Sequence, residues 1–335
     1  MSDSDLAAVS SRPEGHFLTE DDVVYAFRTL FDRDPESGSV IAEHIRLHRD
    51  PPALWRSMMD SDEFRDRHQR AAIMGLLHSS LHDPAPRIDH EVSDELMGRM
   101  MERVAKQWTL LGEDDPHWSV LTDESFRSHN LDEATLDRFR ESGAFELELL
   151  ERIEARTQVP GSRGVCIELG CGVGRITRHL ATRFEKVIAV DISPGNLRLC
   201  REYMAEVGLT NVETVLVQNL QDFESLPEAD YFYSVIVLQH NPPPIQKAIL
   251  RRIFSLLRPG GGVLFQVPTL LEGYEFVAAQ YLEVPPPVME VHCLPRSVVL
   301  AEMQDHGIRI VDMMPDARTG EFGSYTFYGV KRSAA

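Results

Sequence analysis

Two textures of apolar and polar positions divide the chain. Up to about residue 160 the apolar residues recur at three- and four-residue intervals, the period of helices with one buried face. Val23, Val24, Phe27, Leu30 and Phe31 form such a face behind Thr19-Glu20-Asp21-Asp22, which has the chemistry of a helix N-terminus. The turn Asp32-Arg33-Asp34-Pro35-Glu36-Ser37-Gly38 ends that helix, a second is expected from Ser39, and a third over 52–59. Leu96, Met97, Met100, Met101, Val104 and Trp108 mark a longer helix within 92–111, its methionine spacing being that of core packing. Residues 112–122 read as a loop whose His117 and Trp118, with Asp123 beyond, suit a flap over a ligand. Two more helices are expected over 131–140 and 144–156.

From Gly164 short, fully apolar runs alternate with amphipathic stretches. Strands are predicted at 165–169, 186–191, 212–217, 231–238 and 263–267, with helices over 174–183, 195–207 and 244–257 between them. A turn over 258–262 precedes the fifth strand. Such alternation implies a parallel sheet covered on both faces. The end differs: a helix over 296–306 is followed by strands at 308–312 and 324–330 with no helix between them, so these two must pair antiparallel. The expected organisation is a disordered tail (1–16), a small helical module (17–70), a helical linker or cap (71–160) and an α/β domain (161–335).

Composition changes this picture little: 43% apolar and 26% charged residues are ordinary for a globular chain. Charge changes it more. The net charge of −19 is concentrated in residues 1–160, with 34 acids against 18 bases, while the remainder carries 19 against 16. An acidic first half would repel a polyanion, so no nucleic-acid partner is expected. Cys166, Cys171, Cys200 and Cys293 have neither C-x-x-C spacing nor a zinc-ligand pattern and read as reduced thiols in a cytoplasmic protein. The first residues lack the basic and apolar regions of a secretory signal, and no apolar window is long enough to span a membrane.

Candidate chemistry centres on Glu168-Leu169-Gly170-Cys171-Gly172-Val173-Gly174, where a strand runs into a glycine loop that opens a helix. Glycines there let backbone N–H groups approach a ligand closely. Asp191 closes the second strand, twenty-one residues after Gly170, where an acid can accept both hydroxyls of an adenosine ribose. Dinucleotide enzymes share this plan, but the glycine spacing here is not G-x-G-x-x-G. Glu168, two residues before the first glycine, would repel a pyrophosphate and suits the ammonium of a methionine.

On these residues the segments 165–175, 187–193 (Val187-Ile188-Ala189-Val190-Asp191-Ile192-Ser193) and 256–264 resemble three successive motifs of class I S-adenosylmethionine-dependent methyltransferases. The resemblance covers residues 160–332. It implies a seven-stranded Rossmann-like sheet of order 3-2-1-4-5-7-6 with the last strand antiparallel, preceded here by the all-helical region. It also implies S-adenosylmethionine as cofactor. Glu168, Gly170, Cys171, Gly172 and Gly174 would hold its methionine part and approach the ribose. Asp191 would take the ribose hydroxyls, Ile192 would pack on adenine, and Gln218, Asn219 and Leu220 would meet the adenine edge. Leu238 and Gln239 would line the sulfonium region.

For the acceptor, His240 stands at the carboxyl end of the fourth strand, with an ordinary pKa suited to base catalysis. A local helix-capping role is its alternative. His292 is the second candidate base or substrate ligand, following the irregular segment 268–291 with Tyr274, Phe276 and Tyr281; it could equally order the turn into the next helix. Arg296 could hold an acidic group or sit in a solvent-facing helix. The i, i+4 pairs His44/His48 and His78/His82 lack a third ligand, so metal-independent transfer is expected.

Residues 17–70 resemble the DUF4214 helical module of bacterial carbohydrate metabolism, through Tyr25, Phe27 to Gly38 and Met59-Asp60-Ser61-Asp62-Glu63-Phe64. Together these imply O-methylation of a sugar, glycan precursor or small metabolite, with no membrane partner and a homo-oligomer left open. A natural-product or peptide methyltransferase is the nearest alternative, and a non-catalytic scaffold with the cofactor fold is another.

Overall fold

The computed structural model describes residues 18–31, 33–59, 61–64, 87–271, 273–319 and 323–333. The expected tail (1–16) and the His78/His82 pair lie outside them. Residues 1–84 and 85–335 form two compact units.

In the first unit, helices α1 (Glu20–Phe31), α2 (Gly38–Leu47) and α3 (Pro51–Met59) enclose Val23, Ala26, Phe27, Phe31, Leu54 and Met58. Thr19 caps α1 reciprocally: its backbone N–H donates to Asp22 Oδ2 (2.9 Å), and the Asp22 N–H donates to Thr19 Oγ1 (3.2 Å). The turn before α2 is closed by Arg33, which lies over the Phe27 ring and donates two hydrogen bonds to Glu63 (2.8 and 2.7 Å). His44 and His48 stack on each other, and His48 is engaged with the His44 carbonyl.

The second unit begins with α4 (Asp94–Asp114), α5 (Pro116–Val120), α6 (Glu133–Glu141) and α7 (Ala144–Thr157). The alternating part follows as β1 (Val165–Leu169), α8 (Thr177–Arg183), β2 (Lys186–Asp191), α9 (Pro194–Glu206), β3 (Val212–Leu216), β4 (Ala229–Ser234), α10 (Pro243–Leu256) and β5 (Leu257–Leu270). It closes with α11 (Ala278–Tyr281), α12 (Arg296–Asp305), β6 (Ile308–Asp316) and β7 (Gly323–Lys331). The strands lie in the order β3-β2-β1-β4-β5-β7-β6, with β7 antiparallel to both neighbours. This is the seven-stranded sheet of the Rossmann-like methyltransferase fold that the resemblance implies.

Strand alternation sorts the core into two layers. Ile167, Leu169, Ile188, Val190, Phe232, Val263 and Phe265 face one way, onto Met100 and Val104 of α4, Ile249 and Ile253 of α10, and Val299 of α12. Cys166, Val187, Tyr231, Tyr233, Leu264 and Tyr328 face the other, onto Leu150 and Ile153 of α7 and Leu180 of α8. Each such side chain contributes roughly 1.5–3 kcal/mol by leaving water. All four cysteines are buried and unpaired. Among the described residues no helix is long and apolar enough to cross a membrane.

Three local departures from the sequence pattern have physical causes. The fourth strand, expected to reach residue 238, stops at Ser234, because the Ile236 N–H donates to Gln266 Oε1 (2.8 Å) and Ile236 takes a φ of 58°. A β-branched residue there is strained by about 1–3 kcal/mol. The turn expected at 258–262 is absorbed into β5, where Leu257 pairs with Ala229. The expected loop 112–122 holds the short α5, opened by Pro116.

The helical region seats on the sheet with no room to spare. A Cβ at Gly112 of α4 would stand 2.1 Å from Ser193 Oγ, and one at Gly195 would stand 2.8 Å from the Gly112 carbonyl oxygen. Ser193 Oγ also caps α9 by accepting from the Asn196 N–H. An alanine at an open helix position gains up to about 1 kcal/mol over glycine. Gly112→Ala should reverse that sign and destabilise the second unit by about 1–3 kcal/mol through overpacking. Thermal unfolding of the full chain checks this: a melting temperature at or above wild type would mean that the helix relaxes freely.

Candidate functional site

A cavity lies at the carboxyl ends of β1, β2 and β4, where the chain leaves the sheet. The loop after β1 is fixed from β2. Gly170 and Cys171 donate their N–H groups to the Val190 carbonyl (2.7 and 3.0 Å), and Gly172 donates to Asp191 Oδ2 (2.8 Å). Gly170, Gly172 and Gly174 have φ of 75°, 54° and 92°, which only glycine adopts without strain. Asp191 Oδ1 accepts from the Ser193 N–H (2.9 Å), so one carboxylate pins the loops after both strands. Burial raises the Asp191 pKa, and these N–H groups oppose that rise.

Gly170, Cys171, Gly172, Asp191, Ile192 and His240, all candidates from the sequence, line this cavity. Gly174 does not: a Cβ there would meet Met204 and Cys200, so it is the contact of the loop with α9. Glu168 is buried beside the loop, with Oε2 lacking a hydrogen-bond partner. Burial pushes its pKa up to about 7 and the Asp191 charge adds to this, while Thr177 and Arg175 oppose it. Gln218 and Asn219 border a separate shallow groove along α4; the Gln218 amide donates to the Ile192 carbonyl (3.3 Å), and Asn219 caps the turn that begins at Leu220. Leu238 is wholly buried in the core, and Gln239 accepts from the Gln266 amide (3.2 Å). Val235, Ile236 and Val237 line the cavity in the place expected for Leu238 and Gln239.

His240 is held in one tautomer. Its Nδ1 donates to the Glu290 carbonyl (2.8 Å), which can only accept, and Nε2 receives the Gln239 amide at 3.4 Å. Burial lowers its pKa to about 4, against the effect of the Glu290 carbonyl, and the Trp108 ring lies 5.1 Å away. His292 is fully engaged: Nε2 meets Glu290 Oε2 (2.9 Å) and Nδ1 meets the Tyr274 hydroxyl (2.8 Å). It does not line the cavity and belongs to the support beneath His240.

Glu290 joins these parts. Its carboxylate also accepts from Arg103 of α4 (2.6 Å) and from the Tyr281 hydroxyl (2.7 Å). Burial alone would raise its pKa; the bonds from His292, Tyr281 and Arg103 win and hold it at about 2. Arg103 further donates to the carbonyls of Tyr281 and Val284 (2.6 and 2.7 Å), and Gln107 to that of Pro287 (2.7 Å). One side of α4 is thereby fastened to the segment after β5, while Met101, Val104 and Trp108 on another line the cavity.

Those three residues, with Ser119 and Val120 of α5, form the lining from the helical half that sequence reasoning assigned to core or loop. The flap residues proposed there face elsewhere: His117 packs on Phe139, and Trp118 lies under the Arg127 guanidinium. Arg175 and Asn196 are further lining residues not foreseen. Arg296 leans on Tyr325, away from the lining. Among the described residues no cluster of three or more His, Cys, Asp or Glu could hold a metal.

The methyltransferase-domain family matches residues 166–261. Among curated proteins, a carboxy-S-adenosyl-L-methionine synthase from Trichlorobacter lovleyi is 35% identical over 114 residues, 32% of this chain and 46% of that protein. A ubiquinone biosynthesis O-methyltransferase from Xanthomonas axonopodis pv. citri is 32% identical over 114 residues, 33% of this chain and 45% of that protein. The chain thus spans about half the length of these relatives. Among solved structures, magnesium protoporphyrin IX methyltransferase from Synechocystis PCC 6803 with bound S-adenosylhomocysteine aligns with 68% of this chain and 98% of its own, at 17% identity and a TM-score of 0.47.

Buried Glu168, with Oε2 lacking a hydrogen-bond partner, makes the ligand-free chain pH-sensitive. An acid raised from 4.5 to about 7 holds its proton in the folded state, and that contribution is lost as the pH rises through 7. Glu168→Gln should therefore raise the melting temperature more at pH 8, by about 3 kcal/mol in stability, than at pH 5.5, where the gain is about 1 kcal/mol. Equal gains at both pH values would show that packing, not charge, is responsible.

Proposed function

We propose that residues 85–335 transfer a methyl group from S-adenosylmethionine to a hydroxyl of a sugar, glycan precursor or small metabolite. The observation that carries this reading is the one cavity lined both by the loop pinned by Asp191 and by His240. Bound there, the cofactor supplies an electrophilic methyl on a cationic sulfur. The site fits it: the Asp191 carboxylate for ribose hydroxyls, Ile192 for the adenine face, and the orphaned Glu168 oxygen for an ammonium.

His240 Nε2 would take the acceptor hydroxyl proton as the oxygen gains the methyl group. A histidine with a pKa near 4 is always ready to accept but is a weak base. Transfer offsets this, because the cavity loses the sulfonium charge as the imidazole gains one, and its net charge stays constant. Trp108 and Val235 to Val237 exclude water and position the two reactants. The oxygen acceptor follows the ubiquinone-biosynthesis relative, which is an O-methyltransferase by name. The sugar follows the DUF4214-like features of residues 17–70, whose Arg33–Glu63 bond closes the turn that carries the resemblance.

Calorimetry with S-adenosylmethionine, S-adenosylhomocysteine and NAD tests the cofactor; tight NAD binding without any adenosyl ligand binding overturns the reading. Mass spectrometry of sugar and phenol panels should then find an acceptor that gains one methyl group. On it, His240→Ala should lower kcat by about 10²–10⁴-fold with S-adenosylhomocysteine affinity nearly kept. Because His240 titrates near 4, kcat should be flat from pH 5.5 to 8. Because Glu168 titrates near 7 in the free protein, kcat/KM for the cofactor should fall as the pH drops below 7. Full turnover by His240→Ala would remove the base assignment.

A further inference from the structure

The chain between α11 and α12 has no helix or strand of its own, so its backbone carbonyls must find partners elsewhere. Side chains of α4 supply several. Arg103 Nη1 donates to the carbonyls of Tyr281 (2.6 Å) and Val284 (2.7 Å), and the Gln107 amide to those of Pro287 (2.7 Å) and Val288 (3.1 Å). The next carbonyl to be used, that of Glu290, takes the Nδ1–H of His240 (2.8 Å). Arg103 reaches this residue too, by its side chain: Nη2 donates to Glu290 Oε1 (2.6 Å), while the guanidinium lies 4.1 Å from the centroid of the Tyr281 ring. The Tyr281 hydroxyl and His292 Nε2 meet the other oxygen at 2.7 and 2.9 Å. Glu290 is thus buried and fixed through its carboxylate, and its backbone faces the imidazole. Further along α4, Trp108 packs its ring 5.1 Å from that of His240. One helix therefore braces the imidazole by its ring and, through Glu290, by its proton.

We infer that Arg103 is a positioning residue for the base: through Glu290 it fixes the peptide carbonyl that holds His240 in the Nδ1–H form and leaves Nε2 as the basic nitrogen. This rests on the reading of His240 as the base. Burial lowers the His240 pKa to about 4, so the ring is neutral throughout the working range. What the protein must then control is which nitrogen carries the one proton. With the bond at Nδ1 lost, the proton is free to move to Nε2, and that nitrogen can no longer accept one from an acceptor hydroxyl. Arg103 suits the task because its planar fork meets a carboxylate and two carbonyls at once. If it only fastened α4 to the loop, its loss would lower stability and leave the tautomer unchanged.

Nitrogen NMR of the full chain, isotope-labelled at histidine, reads the tautomer without any ligand, with His240→Ala identifying the signal. Wild type should show His240 protonated at Nδ1 alone near neutral pH, and Arg103→Met should populate the Nε2–H form. On an acceptor found by the panel above, Arg103→Met should lower kcat by about 10–10²-fold. In a His240→Ala background the same change should cost less than about twofold, because no imidazole remains to be positioned. Arg103→Lys keeps the charge without the fork and should recover part of kcat. An unchanged tautomer in folded Arg103→Met, or an equal loss of kcat with and without His240, overturns the inference. If Arg103→Met does not fold, Glu290→Gln, which keeps the backbone carbonyl and one side-chain acceptor, takes its place with a smaller change in the same direction. Wild-type His240 protonated at Nε2 overturns the inference without any variant. Full turnover by His240→Ala fails the base reading itself, which the ligand-free tautomer measurement does not depend on.

Discussion

The close approach of the α4–α5 helices to the loops after β1 and β2 is the constraint on which the rest depends. Gly112 and Gly195 meet backbone to backbone, and Gly172 comes so near Val120 that a Cβ would stand 2.4 Å from Cγ2. Close-packed interiors leave such contacts no slack. The helical region is therefore part of the site. It supplies Met101, Val104, Trp108, Ser119 and Val120 as lining, and through Arg103 it also carries the Glu290 support under His240. The same helix thus touches both the donor side and the acceptor side of the proposed reaction.

The fold was largely legible in the sequence because its signals are local and redundant. Fully apolar runs such as Val187 to Val190, separated by amphipathic helices, specify a parallel sheet, and the absence of a helix between the last two strands specifies their antiparallel pairing. What misled was also local. The run 231–238 looks continuous, but a long-range hydrogen bond from the Ile236 N–H to Gln266 bends it away at Ser234. The glycines 260–262 look like a turn; Gly262 pairs with Tyr231 of β4 and Val330 of β7, and residues 258–261 form an irregularity within β5.

The glycine loop was legible for the same reason: Gly170, Gly172 and Asp191 carry their geometry in residue type and spacing. The cavity wall was not. Trp108 and Met101 obey the periodicity of core residues, and nothing in that periodicity says that one side of the core is open to a ligand. Arg175 closes the first motif at 165–175, and nothing in the motif tells that its side chain is buried against the cavity with Nε lacking a partner. His292 was weighed as a chemical group because histidines near a substrate segment are, whereas its two nitrogens are both used in holding Glu290 and Tyr274.

The four buried cysteines have a use outside the chemistry. Burial pushes the thiols of Cys166, Cys171 and Cys293 up, so thiolate, the reactive form, is scarce at all three. Cys171 alone among the four lines the cavity, which Val120 and Trp108 also line. A small alkylating reagent can reach it only by entering the cavity. The chain therefore carries its own gauge: the rate at which Cys171 is labelled in the native protein reports access to the cavity, and a ligand filling the cavity slows that rate.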